Sequence, residues 1–198
     1  MDELGARIEA FFKTLSESGA VDVYQEALEP SSAEEIAELE AGLGVSLPED
    51  LKAWFARGCQ AYTGSVDEPF AGIGFSFLGA AAALEHTNML RESAADDEDG
   101  EENEHAALVR SGVALSYEEP ELLWTPSGIY SFSFRNPLLK VASSFTEFLE
   151  SWLASGCFSS HDFDAAWEKT QPFVPAGSVA PEKNPWVVAY KAFHADEE

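Results

Sequence analysis

Apolar side chains recur at spacings of three and four along the start of the chain. Leu4, Ile8, Phe11, Phe12 and Leu15 form one stripe and predict an amphipathic helix over residues 3–15. Residues 16–30 carry Ser16, Ser18, Gly19 and Pro30 and read as a turn and connector. Ser32 with Glu35 three positions on is a capping box, in which hydroxyl and carboxylate satisfy two free N–H donors at a helix start. Ile36, Leu39 and Leu43 supply the stripe of that helix, and Gly44 stands where a left-handed C-cap belongs. Ser46-Leu47-Pro48-Glu49 repeats the start signal, with Pro48 near a first turn where its missing N–H costs little. Leu51, Trp54 and Phe55 give this next helix its apolar face, and Gly58 ends it.

The period then changes. Over residues 72–78, Ile73, Phe75 and Phe77 alternate with Gly72, Gly74 and Ser76, a strand with one buried face. Residues 80–92 return to helix through Leu84, Met89 and Leu90. Residues 94–105 are too charged to pack and read as loop. Strands follow at about 112–117, 121–125, 128–134 and 138–142, with turns at Ser127-Gly128 and Asn136-Pro137. Short strands so closely turned pair as an antiparallel meander. Ser144 with Glu147 opens a helix whose apolar side is Phe145, Phe148, Leu149, Trp152 and Leu153, closed by Gly156. Beyond it, 161–170 reads as a short helix, 171–185 as Pro/Gly-rich coil, and Trp186–Tyr190 as a strand or a docked tail. Strands grouped in hairpins with helices outside them predict an α+β fold: a mainly antiparallel sheet of about five or six strands with helices packed against it.

Composition adds a charge to this frame. The 198 residues hold 36 acids against 11 lysines and arginines, a net charge of −25. Seven of those acids fall in residues 94–104, yet removing seven charges from −25 still leaves −18, so the field belongs to the folded body too. Between Lys13 and Lys52 there are ten acids and no base. Such a chain repels phosphate, which argues against nucleic-acid and anionic-membrane partners and for basic protein partners. No apolar run approaches 18 residues and no cationic, then apolar leader opens the chain. Cys59 and Cys157 show no metal or redox spacing, which fits thiols in a reducing cytoplasm.

Motifs for chemistry are missing. The run Ala95–Gly100 mimics a calcium loop, but its first and twelfth places are Ala95 and Ala106, so both the leading carboxylate and the closing bidentate glutamate are lacking. His86, His105, His161 and His194 are scattered without zinc spacing, and no phosphate-binding or nucleophile-elbow motif occurs. No enzyme activity, cofactor or metal is expected.

The segment Ile36 to Phe55 resembles the opening signature of the SUKH superfamily (Smi/Knr type), with Ile36, Glu40, Gly44, Leu47, Pro48, Asp50, Leu51, Lys52 and Trp54 in place. Ser144-Phe145-Thr-Glu147-Phe148-Leu149 resembles its closing helix. The resemblance spans about residues 31–155, with an acidic insertion at 94–104 and extensions at 1–30 (helical) and 156–198 (packed on the same domain). It implies a SUKH-like α+β fold and a non-enzymatic role. Bacterial members resemble immunity proteins that bind and neutralise a cognate toxin, often a nuclease; fungal members are regulators of cell-wall synthesis. The expected function is thus neutralisation of a cognate, basic toxin by a monomer or weak dimer; the alternative is a regulatory or scaffold module acting on an endogenous partner. Candidate contacts are Asp96, Asp97, Glu98, Asp99, Glu101, Glu102 and Glu104, with Glu118, Glu119 and Glu121 as a second cluster. Glu40 follows Ile36 by one helical turn, so its carboxylate needs a backbone or cationic donor and reads as structural.

Overall fold

The computed structural model describes residues 1–19, 22–27, 29–58, 60–66, 71–73, 76–95, 104–117, 121–133, 138–157, 170–174 and 183–194. Helix α1 (Asp2–Ser18) buries Leu4, Ile8, Phe11, Phe12 and Leu15 and ends at Gly19 in the left-handed conformation, φ 69°. Residues 16–30 are not only connector: β1 (Asp22–Ala27) follows and pairs antiparallel with β2 (Gln60–Val66), which pairs with β3 (Ala71–Ile73). Helices α2 (Ala33–Leu43) and α3 (Glu49–Arg57) lie between β1 and β2 in sequence. Both bonds of the Ser32–Glu35 capping box are made, and Gly44 closes α2 at φ 68°. Pro48 is the N-cap residue of α3.

The strand expected over 72–78 is shorter. Ala71–Ile73 are in β3, Gly74 and Phe75 lie outside the described residues, and Phe77 makes an isolated bridge to Ser116. Helix α4 (Ala80–Ala95) follows, then α5 (Glu104–Ser111), a helix that the charge of the preceding run hid. Strands β4 (Val113–Ala114), β5 (Glu121–Thr125), β6 (Gly128–Phe132) and β7 (Leu139–Ala142) form the expected antiparallel meander in the order β4-β5-β6-β7. This sheet has four strands rather than five or six, because β1, β2 and β3 pair among themselves in a separate sheet. The β5–β6 turn is Pro126-Ser127 rather than Ser127-Gly128. Gly128 already begins β6 at φ 139°, where a Cβ would lie 2.4 Å from the Ala142 carbonyl oxygen. In β5, Leu122, Leu123, Trp124 and Thr125 are all buried. Successive strand residues point to opposite faces, so both faces of the sheet are covered.

Helix α6 (Phe145–Ala154) packs on β6 and β7, α4 on β4, and α2 on α4. The Ser144 hydroxyl accepts the Glu147 N–H, while the Glu147 carboxylate accepts from Ser143 N–H. Asp50 Oδ2 of α3 accepts the Thr146 N–H and Oγ1–H at 3.0 Å each, so the start of α3 also caps the start of α6. Between them the aromatic core closes. Phe77 lies 5.3 Å from Trp54, 6.0 Å from Phe145 and 5.7 Å from Trp152, each edge-on, the arrangement ring quadrupoles favour.

Trp186–Tyr190 is a docked tail rather than a strand, and it is helical. Helix α7 (Pro185–His194) starts there, with Pro185 at its first position. Asn184 Oδ1 accepts the Trp186 N–H at 2.8 Å as N-cap, and its Nδ2 donates to the Ser151 carbonyl and to Ser155 Oγ of the α6 end. Trp186 meets Phe148 edge-on at 6.4 Å. One continuous buried cluster thus runs from Leu4 through the sheet to Ala189. The short helix expected over 161–170 lies outside the described residues except for Thr170.

Candidate functional site

Three segments distant in sequence meet where α2 and α4 begin. Glu29–Ser31 leads into α2, Ser76–Gly79 leads into α4, and Tyr117 follows the Phe77–Ser116 bridge. With Glu35 and Ala80–Ala82 they line a groove of about 560 Å³. Ser31 fastens the junction: its N–H donates to the Phe55 carbonyl and its Oγ accepts the Ala80 N–H, both at 2.9 Å. Leu78 N–H donates to the Leu115 carbonyl at 2.9 Å, so the floor is held by both layers it joins. That floor is apolar, with Phe77 and Leu78 buried. The rim is not. Glu29 is exposed, and Tyr117 stands 55% exposed, one of three large hydrophobic side chains so placed among the described residues. Hydrogen bonds from the Ser32 backbone and hydroxyl hold the Glu35 carboxyl below its ordinary value, so it is an anion at neutral pH.

Behind Tyr117 lies a histidine. The His86 ring of α4 packs 4.9 Å from the Tyr117 ring, and its Nε2 is 3.0 Å from Glu121 Oε2 at the start of β5. Burial holds His86 below its ordinary value of 6.5 against the pull of that carboxylate. The ring is therefore neutral at pH 7. Since a carboxylate only accepts, Nε2 carries the proton and Nδ1 is a bare acceptor. Nδ1 is buried with no hydrogen-bond partner among the described residues.

Ten carboxylates are candidate partner contacts by sequence. Asp96, Asp97, Glu98, Asp99, Glu101, Glu102, Glu118 and Glu119 lie outside the described residues. Glu104 opens α5, its side chain not described, and Glu121 is bound to His86 with its side chain 16% exposed. Residues of the two sequence signatures do converge. Ile36, Leu47, Trp54, Phe145, Phe148 and Leu149 share the core, and Gly44 and Pro48 shape the turn between α2 and α3. Glu40 spans that turn: Oε1 accepts the Leu47 N–H at 2.7 Å and meets Lys52 Nζ at 2.9 Å. The hydrogen bond from Lys52, then that from Leu47 N–H, holds its carboxyl below the ordinary value.

Other cations are also engaged within the fold. Arg57 Nη1 donates to Glu9 Oε1 at 2.7 Å and lies against Gly5, where a Cβ would come within 2.6 Å of the guanidinium. Arg91, its charge disfavoured by burial, donates to the carbonyls of Leu43, Val109 and Arg110. Those carbonyls belong to the C-terminal ends of α2 and α5, where helix dipoles favour a cation. Cys157 is fully buried with its thiol pushed well up by desolvation, a packed rather than reactive group. Cys59 lies outside the described residues. Among the described residues, no three His, Cys, Asp or Glu side chains gather as a metal cage. No described helix is long and apolar enough to cross a membrane.

Comparison with known families places residues 30–151 on the model described as the SMI1 / KNR4 family (SUKH-1). No curated protein matches the chain. The matched span takes in the two sequence signatures, the four-stranded sheet and every side chain lining the groove except Glu29.

Proposed function

The chain belongs to the SMI1/KNR4 family (SUKH-1), and on that premise we propose that it is an immunity-type protein that binds and neutralises a cognate bacterial toxin through its carboxylates. Membership supports an immunity-type or related protein-interaction role. The observation that carries the finer reading is the charge imbalance. A net charge of −25 accompanies a fold in which Lys52, Arg57 and Arg91 are bound internally, while Glu29, Glu34 and Glu38 around the α2 start are exposed. A body so charged attracts a basic surface such as a nuclease groove built to receive phosphate, and repels nucleic acid itself. Binding rather than catalysis is also the better reading of the groove, because Ser31 and Glu35 serve there as helix caps.

The test is to express the product of the neighbouring gene in a sensitive host with and without this protein. Rescue of growth and a complex on co-purification support the proposal. Association measured at rising ionic strength then examines the mechanism: charge steering slows tenfold or more between low and physiological salt. A rate independent of salt removes the electrostatic mechanism. An endogenous partner with no rescue of growth replaces neutralisation with a regulatory role.

A further inference from the structure

We infer that the groove at the α2–α4 junction receives one arginine side chain of the protein partner. This rests on the proposed protein-binding role and adds the docking chemistry. Glu29 and Glu35 stand at the rim, and among the described residues no cation lines the groove to neutralise them. The Glu35 carboxylate takes the Ser32 N–H on Oε2 at 2.7 Å and the Ser32 hydroxyl as well, and with about four lone-pair sites it retains acceptor capacity. Tyr117 offers an exposed ring and Phe77 with Leu78 an apolar floor.

Carboxylate, aromatic face and apolar floor together match arginine: the guanidinium pairs with carboxylates and stacks on rings, and its three methylenes cover apolar surface. An anion is the competing occupant, since Gly79–Ala82 at the start of α4 line the groove and the first amides of a helix attract anions. One of those amides, Ala80 N–H, is already taken by Ser31 Oγ. What is left of a helix terminus, about half a charge, is outweighed by two full negative charges. The fixed neighbours favour the same answer. Ser31 is held to α3 and α4, and Tyr117 is backed by His86, so floor and rim are in place before a ligand arrives.

The test titrates the ¹⁵N-labelled chain with Nα-acetyl-arginine methylamide and, separately, with its neutral citrulline counterpart. Saturable shifts confined to Ser31, Glu35, Gly79–Ala82 and Tyr117 are expected, with a dissociation constant on the order of millimolar. Citrulline should bind at least fivefold more weakly. Glu35→Gln keeps the capping box, because glutamine serves at that position. A Glu29→Gln/Glu35→Gln variant with unchanged melting should therefore lose at least fivefold in affinity, and Tyr117→Ala a similar factor. Equal binding of citrulline, shifts spread over all exposed carboxylates, or no shift would each overturn the inference. The toxin assay separates the two proposals. Rescue undiminished in a variant combining Glu29→Gln, Glu35→Gln and Tyr117→Ala overturns the groove and leaves neutralisation standing; saturable arginine binding without rescue does the reverse.

Discussion

Replacing Glu40 by alanine removes a side chain that crosses from the end of α2 to the start of α3. The carboxylate accepts the Leu47 N–H at 2.7 Å and meets Lys52 at 2.9 Å, and Leu47 itself is only 3% exposed. A hydrogen bond from a backbone amide to a charged acceptor contributes about 2 kcal/mol, and losing it leaves the amide unmatched. The partly exposed ion pair adds roughly 0.5 kcal/mol. Together these amount to about 2.5 kcal/mol, and at 2–4 °C per kcal/mol for a chain of this size the melting temperature should fall by about 5–10 °C. Glu40→Gln keeps an acceptor for Leu47 and loses the charge, so about 1 kcal/mol and 2–4 °C should go. The assay is thermal melting at pH 7, repeated at pH 4. Because the folded carboxyl sits below its unfolded value near 4.5, its contribution is present above that pH and is lost as pH falls through the folded value. The gap between wild type and Glu40→Gln should therefore shrink on acidification. Unchanged melting in Glu40→Ala, or a glutamine variant as damaged as the alanine one, would refute the reasoning.

Two other perturbations probe separate parts of the fold. Asn184→Ala removes the cap of α7 and its two donations to α6, costing about 2–3 kcal/mol; hydrogen exchange should show α7 amides opening faster than those of β5 and β6. His86 is held below 6.5, so its contribution is complete above that pH and declines as pH falls toward the folded value; His86→Gln should flatten the wild-type loss of stability as pH falls below 6.5, measured by urea unfolding at each pH. A wild-type slope that persists in the variant assigns that loss to another group.

What the sequence disclosed and what it withheld divide along the range of the interactions. Helices α2, α3 and α6 announce themselves because Ser32, Gly44, Pro48 and Ser144 act on backbone groups within four residues. The β5–β7 meander was visible for the same reason, its turns being short. β1 and β2 were not, since Asp22 pairs with Ser65 across two intervening helices, and neither Gln60–Val66 nor Asp22–Ala27 alternates strongly. In α7 the β-branched pair Val187-Val188 favours a strand by propensity, against the cap and first-turn proline of Asn184-Pro185. The groove was beyond sequence reasoning altogether: its walls come from residues 29–35, 76–82 and 117, and no short-range pattern links them. Glu121 looked like a free surface acid because its histidine lies 35 positions earlier.

The amide of Asn184 ties the fold together beyond the span of the family match. The family frame stops at residue 151, one residue before Trp152, yet α6 continues to Ala154 and its last turn is stapled to a helix 30 residues further on. A fragment cut to residues 30–151 would end inside that helix and remove Trp186 from its edge-on contact with Phe148. The buried cluster that begins at Leu4 thus extends beyond the family match, through Trp152 and Leu153 to Trp186, Val187 and Ala189.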